Sequence, residues 1–206
     1  MMDHVNIRKE RFSQGRKTSS PKACVIKTSS MVPEGIEILL DTNVIYWITY
    51  ANSRVMPQAL KPRAYQLDEY SSLLESFLGV NTLRYSRFSI PELFHIVANT
   101  EAKLDSVTNT RDHKKWMRDK GRDIVLNEMK VVLEALDNLA IILEPNENVL
   151  LAPEDYLAIY GEVYLDGYDI FLKNEMDMNQ IDYILSDDAD YATIKDLNLI
   201  TANKSI

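Results

Sequence analysis

Four short apolar runs punctuate the chain, and the stretches between them repeat their apolar positions at helical spacing. Ile36, Ile38, Leu39 and Leu40 form the first run and Leu139 to Leu143 the second. Ile181 to Leu185 form the third and Leu197 to Thr201 the last. Short runs of aliphatic and β-branched side chains, stopped by polar or proline-bearing turns, are the mark of strands buried on both faces. After the first run a helix carries the apolar stretch Val44 to Ile48. Leu67, Tyr70, Leu74 and Phe77 predict a helix from about Tyr65 to Leu78, ended by Gly79 and Asn81. Ile90, Leu93, Phe94 and Val97 stripe another, opened by Ser89-x-x-Glu92 with Pro91 in its first turn. Trp116, Ile124, Val125, Met129, Val132, Leu133 and Leu136 outline one long amphipathic helix ending near Asn138. Two later helices follow, one over about Pro153 to Val163 and one opening at Gly167-Tyr168-Asp169. A short helix to about Asp196 separates the last two strands. Strands alternating with helices predict an α/β domain of three layers, with helices on both faces of a central, mainly parallel sheet.

Residues 1–34 fall outside that pattern. They hold Ser-Ser twice, Pro21 and Pro33, and few large apolar groups, so they read as a flexible basic extension ahead of a single domain over residues 35–206. Charge divides the same way. The extension carries seven Lys or Arg against three acids, a net of +4, which leaves −12 for residues 35–206 within the total of −8. A body this acidic is not a generic nucleic-acid binder, but it is compatible with carboxylates gathered around cations. No apolar run approaches the ~20 residues that span a bilayer, and the polar start does not read as a secretory signal, so no membrane association is expected. The single cysteine, Cys24, excludes an intrachain disulfide and fits a reducing cytoplasm. It also removes any cysteine-rich zinc site, which three scattered histidines do not replace.

The chemistry lies in the turns. The first strand stops at Asp41-Thr42-Asn43 and the third at Ser186-Asp187-Asp188-Ala189-Asp190, while Glu92 and Asp169 each stand in the first turn of a helix. In a parallel sheet the carboxyl ends of strands and the amino ends of helices share one edge, so these acids can converge there. Like charges brought close destabilise the fold unless a cation sits among them, and hard oxygen donors at an open site suit Mg²⁺ or Mn²⁺. Each acid also has a plainer reading. Asp41 could only cap the helix that follows it, and Glu92 could only close a capping box with Ser89. For contact with phosphate, the basic cluster at 111–122, with Lys114, Lys115 and Arg118, and the isolated Arg84 and Arg87 are the candidates in an acidic body.

The order LLDTN, a helix-opening Glu92, a late helix opening on Asp169, and ILSDDADY followed by a short helix and LNLIT resembles the PIN-domain nucleases over about residues 36–203. The resemblance implies a Mg²⁺- or Mn²⁺-dependent endoribonuclease that hydrolyses phosphodiester bonds of RNA. Many of that family are toxins of bacterial toxin–antitoxin pairs, so an antitoxin, another protein partner or a second copy of the chain in a homodimer joins RNA among the partners it implies. Carried over residue by residue, Asp41, Glu92, Asp169 and Asp188 match the family's acidic quartet and Asp190 a further acidic position. Thr42 and Asn43 match its polar companions and Ser186 the Thr or Ser before the fourth acid. Asp187 is an alternative for the fourth place and Asp166 for the third. Extra residues at 51–64 and 105–123 and the basic extension depart from the compact toxin type and also suit a stand-alone nuclease.

Three other readings compete. A haloacid-dehalogenase-type phosphatase needs an Asp two residues after its strand-end Asp, and Asn43 stands there. A dinucleotide-binding fold needs G-x-G-x-x-G, which none of the six glycines supplies. An inert PIN-like module that binds RNA or protein has no use for four mutually repelling carboxylates. His95, three residues after Glu92, reads as an ordinary satisfied histidine.

Overall fold

A computed structural model describes residues 22–144, 152–165 and 167–206. Residues 1–21 of the predicted extension and the alternative acid Asp166 lie outside the described residues. Among the described residues six strands form one sheet: β1 (Cys24–Ile26), β2 (Glu37–Leu40), β3 (Thr82–Tyr85), β4 (Ile141–Ile142), β5 (Tyr183–Leu185) and β6 (Asn198–Ile200). Their spatial order is β1-β6-β5-β2-β3-β4, and every pairing is parallel. The helices are α1 (Thr42–Ile45), α2 (Ala64–Phe77), α3 (Ser89–Leu104), α4 (Thr110–Trp116), α5 (Arg122–Leu139), α6 (Pro153–Glu162) and α7 (Gly167–Asn179).

Alternation along β2 sets the three layers. Ile38 and Leu40 point into a core shared with α1, α2, α3 and α5, while Leu39 points into a second core with α7 and the turn after β5. Leu185 and Ile200 repeat the first assignment, Ile184 and Leu199 the second. Side chains on both faces of these strands are withdrawn from water, each contributing about 1.5–3 kcal/mol, which is why the strands read as continuous apolar runs. The domain is α/β/α with an all-parallel sheet.

The order of connections reverses between β2 and β5. From β2 the chain moves outward to β3 and β4, and from β5 it moves the other way to β6. Such a switch point opens a crevice at the carboxyl ends of the two central strands. Asp41 follows β2 and Ser186 follows β5, so that crevice is where the two acidic turns meet.

Several expectations need correction. Cys24–Ile26, placed by the sequence reading in the flexible extension, forms edge strand β1 beside β6, so the folded body begins before residue 35. Three residues between Ala23 and Lys27 are too few to show a period. The run at 139–143 is not a buried strand. It contributes only Ile141 and Ile142, which are 56% and 40% exposed because β4 is the other edge of the sheet. The long amphipathic helix is α4 and α5 joined by a π-helical turn, Met117–Gly121. Trp116 folds back against Gly121 so closely that a Cβ there would lie 2.3 Å from its ring. A second π-helical turn, Tyr46–Ala51, extends α1, where Thr49 Oγ1 donates to the Ile45 carbonyl at 2.7 Å.

Candidate functional site

Asp41 stands at the end of β2 where the backbone turns into α1. Its N–H bonds to the Leu185 carbonyl at 3.1 Å, tying it to β5. It occupies the N-cap position of α1, yet its side chain makes no capping hydrogen bond. The carboxylate turns instead across the crevice, where Ser186 Oγ donates to Asp41 Oδ2 at 2.8 Å. Ser186 Oγ in turn accepts from the Asp188 N–H at 3.0 Å, and Asp188 Oδ1 accepts from the Asp190 N–H at 2.8 Å. One chain of bonds therefore runs from the end of β2 through the whole acidic turn after β5. Asp188 does the capping there, at the start of the short 3₁₀ helix Ala189–Thr193, while half-buried Asp190 sits in its first turn.

The other two acids arrive on helices. Asp169, half-buried in the first turn of α7, accepts from the Tyr191 hydroxyl at 3.0 Å. Glu92 lies half-buried in the first turn of α3. The expected capping box is not formed: α3 starts at Ser89 itself, its N-cap is Phe88 without a side-chain bond, and Ser89 Oγ is buried without a hydrogen-bond partner. Glu92 is thus not held by the plainer role that the sequence allowed it.

Electrostatics unites the four. The Asp41 carboxyl is 2% exposed, and its pKa lies well above the usual carboxylate range. Burial is the first cause and the charge of Asp169 the second, with Glu92 and Asp188 adding to them; the Ser186 hydrogen bond acts in the opposite sense. Tyr191, fully buried, is pushed up by burial and then by the charges of Asp41, Asp169 and Asp188. The four predicted acids are thus within electrostatic reach at one edge. Reach of charge is longer than reach of a bond, and among the described residues no three carboxylate, imidazole or thiol groups form a ready-made cation cage.

The donors nonetheless suit a hard divalent cation. All are oxygens, Asp41 is spared the capping bond that would occupy it, and Thr42 Oγ1 beside it is buried without a hydrogen-bond partner. A buried hydroxyl in that condition is costly unless something else binds it. Mg²⁺ takes few protein ligands and keeps several waters, so it does not require a closed cage.

Other predicted residues are placed elsewhere. Asn43 is exposed. Asp187 faces α2, accepting from Tyr65 at 3.0 Å, Gln66 at 3.1 Å and Tyr70 at 2.8 Å, which draws it away from Asp41. Arg84 is paired with Glu37, its Nε donating at 2.8 Å. Arg87 lies 3.7 Å from Glu175 and donates to the Leu143 carbonyl at 3.2 Å. Lys114, Lys115 and Arg118 are exposed on α4 and the turn after it. That segment is pinned by Lys120 to Asp105 at 2.6 Å, just past the end of α3. Asp105 follows Glu92 by the length of that helix, about 20 Å at 1.5 Å per residue. The structure does not bring this cluster to the acids.

Sequence reasoning missed several participants. Tyr191 was visible as the aromatic after the acidic turn, but not its bond to Asp169. Glu175, fully buried on α7 beside Ser86 and Arg87, carries a pKa raised by burial and pulled back by Ser86 and Arg87. A Glu among the inward positions of an amphipathic helix was its only sequence signal. The Tyr65–Gln66–Tyr70 clamp on Asp187 spans more than a hundred residues and had none. No protein-family model matches the chain, and no curated protein matches it either. No helix among the described residues is long and apolar enough to cross a membrane.

Proposed function

We propose that this chain is a divalent-metal-dependent endoribonuclease of the PIN type, hydrolysing phosphodiester bonds of RNA at the crevice between β2 and β5. One observation carries the reading. Asp41, buried at the end of a central strand, forgoes its helix cap and is held by Ser186 against the charges of Asp169, Glu92 and Asp188. A structural role does not call for such an arrangement, because packed like charges lower stability. Asp41, Asp169, Glu92 and Asp188 would hold the cation, with Thr42 Oγ1 in reserve. Mg²⁺ or Mn²⁺ bound there supplies an activated water and neutralises charge on the scissile phosphate.

The remaining parts orient. Ser186 fixes one oxygen of Asp41 and ties it to the turn bearing Asp188. Tyr191 fixes one oxygen of Asp169 from inside the core, so the acids meet an incoming ligand in set directions. Asp169 and Glu92 remain partly exposed, which leaves this edge open to an incoming strand. Whether the nuclease would act alone or as a toxin held by an antitoxin is a question of partners, and a toxin should arrest growth when expressed without its inhibitor.

The test is cleavage of a panel of RNAs in Mn²⁺ by the wild type and by Asp41→Asn. Cleavage should fall by orders of magnitude in the variant, whereas Asp177→Asn, exposed and paired with Lys173, should cleave like wild type. Cleavage that survives Asp41→Asn, or a wild type inert towards every RNA in Mn²⁺, would transfer the chain to the reading of a PIN-like module that binds without cutting.

A further inference from the structure

An open groove of about 370 Å³ runs beside the acidic crevice, lined by Arg63, Tyr65, Ala202, Asn203, Lys204 and Ser205. Its connection to the acids is direct. The Tyr65 hydroxyl, in the groove wall, donates to Asp187 at 3.0 Å, and Asp187 adjoins Asp188, with Cα atoms about 3.8 Å apart. Asn203 Nδ2 donates to the Asp187 carbonyl at 2.9 Å, tying the opposite wall to the same residue. The groove thus borders the residue next to Asp188, in the turn that bears that proposed ligand.

The lining is what a single strand needs. Arg63 and Lys204 are exposed, and the ion pair of Lys204 is to the solvent-facing Glu69 at 3.6 Å. Arg63 also bonds to the Tyr65 hydroxyl, yet both cations are exposed enough to turn to a phosphate, unlike Arg84 and Arg87, which are spent on Glu37 and Glu175. Tyr65 is half-buried and anchored through its hydroxyl, which holds its ring in one orientation as a stacking surface. In a chain of net charge −8, an RNA must be drawn in by a local cationic field, and this groove offers one beside the acids.

We propose that the groove between residues 63–65 and 202–205 is the subsite for single-stranded RNA flanking the scissile bond, with Arg63 and Lys204 on its phosphates and Tyr65 under a base. The proposal rests on the ribonuclease reading for its ligand, but its test needs no cleavage. Binding of a fluorescein-labelled oligouridylate of about ten nucleotides is followed by fluorescence anisotropy in EDTA, over a range of salt concentrations. For Arg63→Ala/Lys204→Ala the affinity should fall at least about tenfold, and the slope of log K against log salt should shrink by about 1.4, two contacts at ~0.7 each. Lys22→Ala/Lys195→Ala removes the same charge from the amino edge of the sheet and should match wild type. Tyr65→Ala removes the ring and should weaken binding about tenfold. Circular dichroism and melting confirm that each variant is folded.

Equal affinity and slope in the wild type and the Arg63/Lys204 variant would overturn the groove, as would an equal loss in the Lys22/Lys195 control or a wild type that does not bind. The two readings fail separately. Metal- and Asp41-dependent cleavage that persists unchanged in the groove variants overturns the groove alone. Groove-dependent binding without cleavage in any divalent ion overturns the nuclease alone.

Discussion

In metal-free buffer Asp41→Asn should match the wild type in stability at low pH and exceed it as pH rises. The wild-type carboxyl is buried among the charges of Asp169, Glu92 and Asp188, and its pKa is raised above the unfolded value of about 3.9. Between those two values the folded state binds more protons than the unfolded one, so wild-type stability falls as pH rises through the window. Stability is fullest below the unfolded pKa and lowest above the folded one. A single group contributes at most about 1.4 kcal/mol per pH unit of that window. Asn at 41 has no charge to bury and shows no such loss. Below the folded pKa the wild-type carboxyl is itself neutral, so the Ser186 bond is neutral in both proteins and the substitution costs little there. The variant should therefore melt close to the wild type near pH 4 and higher at neutral pH, by about 2–4 °C per kcal/mol for a chain of this size.

Thermal melts in EDTA across about pH 4 to 8, read by far-ultraviolet circular dichroism, measure this directly. Adding Mn²⁺ at about a hundred times its Kd should then stabilise the wild type by about 2.7 kcal/mol and the variant by much less. Parallel stability curves for the two proteins across the pH range would refute the reasoning. They would mean that ionising Asp41 costs the fold nothing, and that the three neighbouring charges do not act on it.

The remaining expectations address single contacts. Tyr70→Phe removes the hydroxyl that donates to Asp187 and accepts from the Ala202 N–H, and should cost about 2 kcal/mol in urea denaturation, with reduced cleavage because the acidic turn loses its clamp. Tyr191→Phe leaves Asp169 without its buried donor and should lower cleavage about tenfold at saturating RNA, with a smaller effect on KM. Gly121→Ala drives a methyl into the Trp116 ring and should cost about 1–3 kcal/mol, with a shift in Trp emission. A variant as stable as wild type would mean that the α4–α5 junction yields.

The apolar run of β2, the Asp-Thr-Asn stop after it and the second acidic turn after β5 were legible from the chain alone. So were the buried faces of α2, α3 and α5, since Leu67, Tyr70, Leu74 and Phe77, then Leu93 and Val97, then Val125, Met129, Val132 and Leu136 all reach the core. Such signals are local, for a strand buried on both faces or a helix buried on one must show it in its own residues. Two strands were not legible, β1 because three residues display no period and β3 because Thr82 and Arg84 break its apolar run, and β4 was read as buried although it takes the edge beside β3. Nor could the chain say which oxygen does what. Asp41 sits where a cap belongs, and only the pairing of β2 with β5 brings Ser186 across to take its carboxylate. Asp187 and Asp188 are neighbours of the same type, yet the backbone sends one towards Tyr65 and Tyr70 and leaves the other beside the crevice. Arg84 and Arg87, two of the cations that the sequence suggested, are consumed by Glu37 and Glu175, partners that only folding supplies. Propensity and pattern are properties of a segment; the direction of a side chain and the charge it meets belong to the assembled sheet.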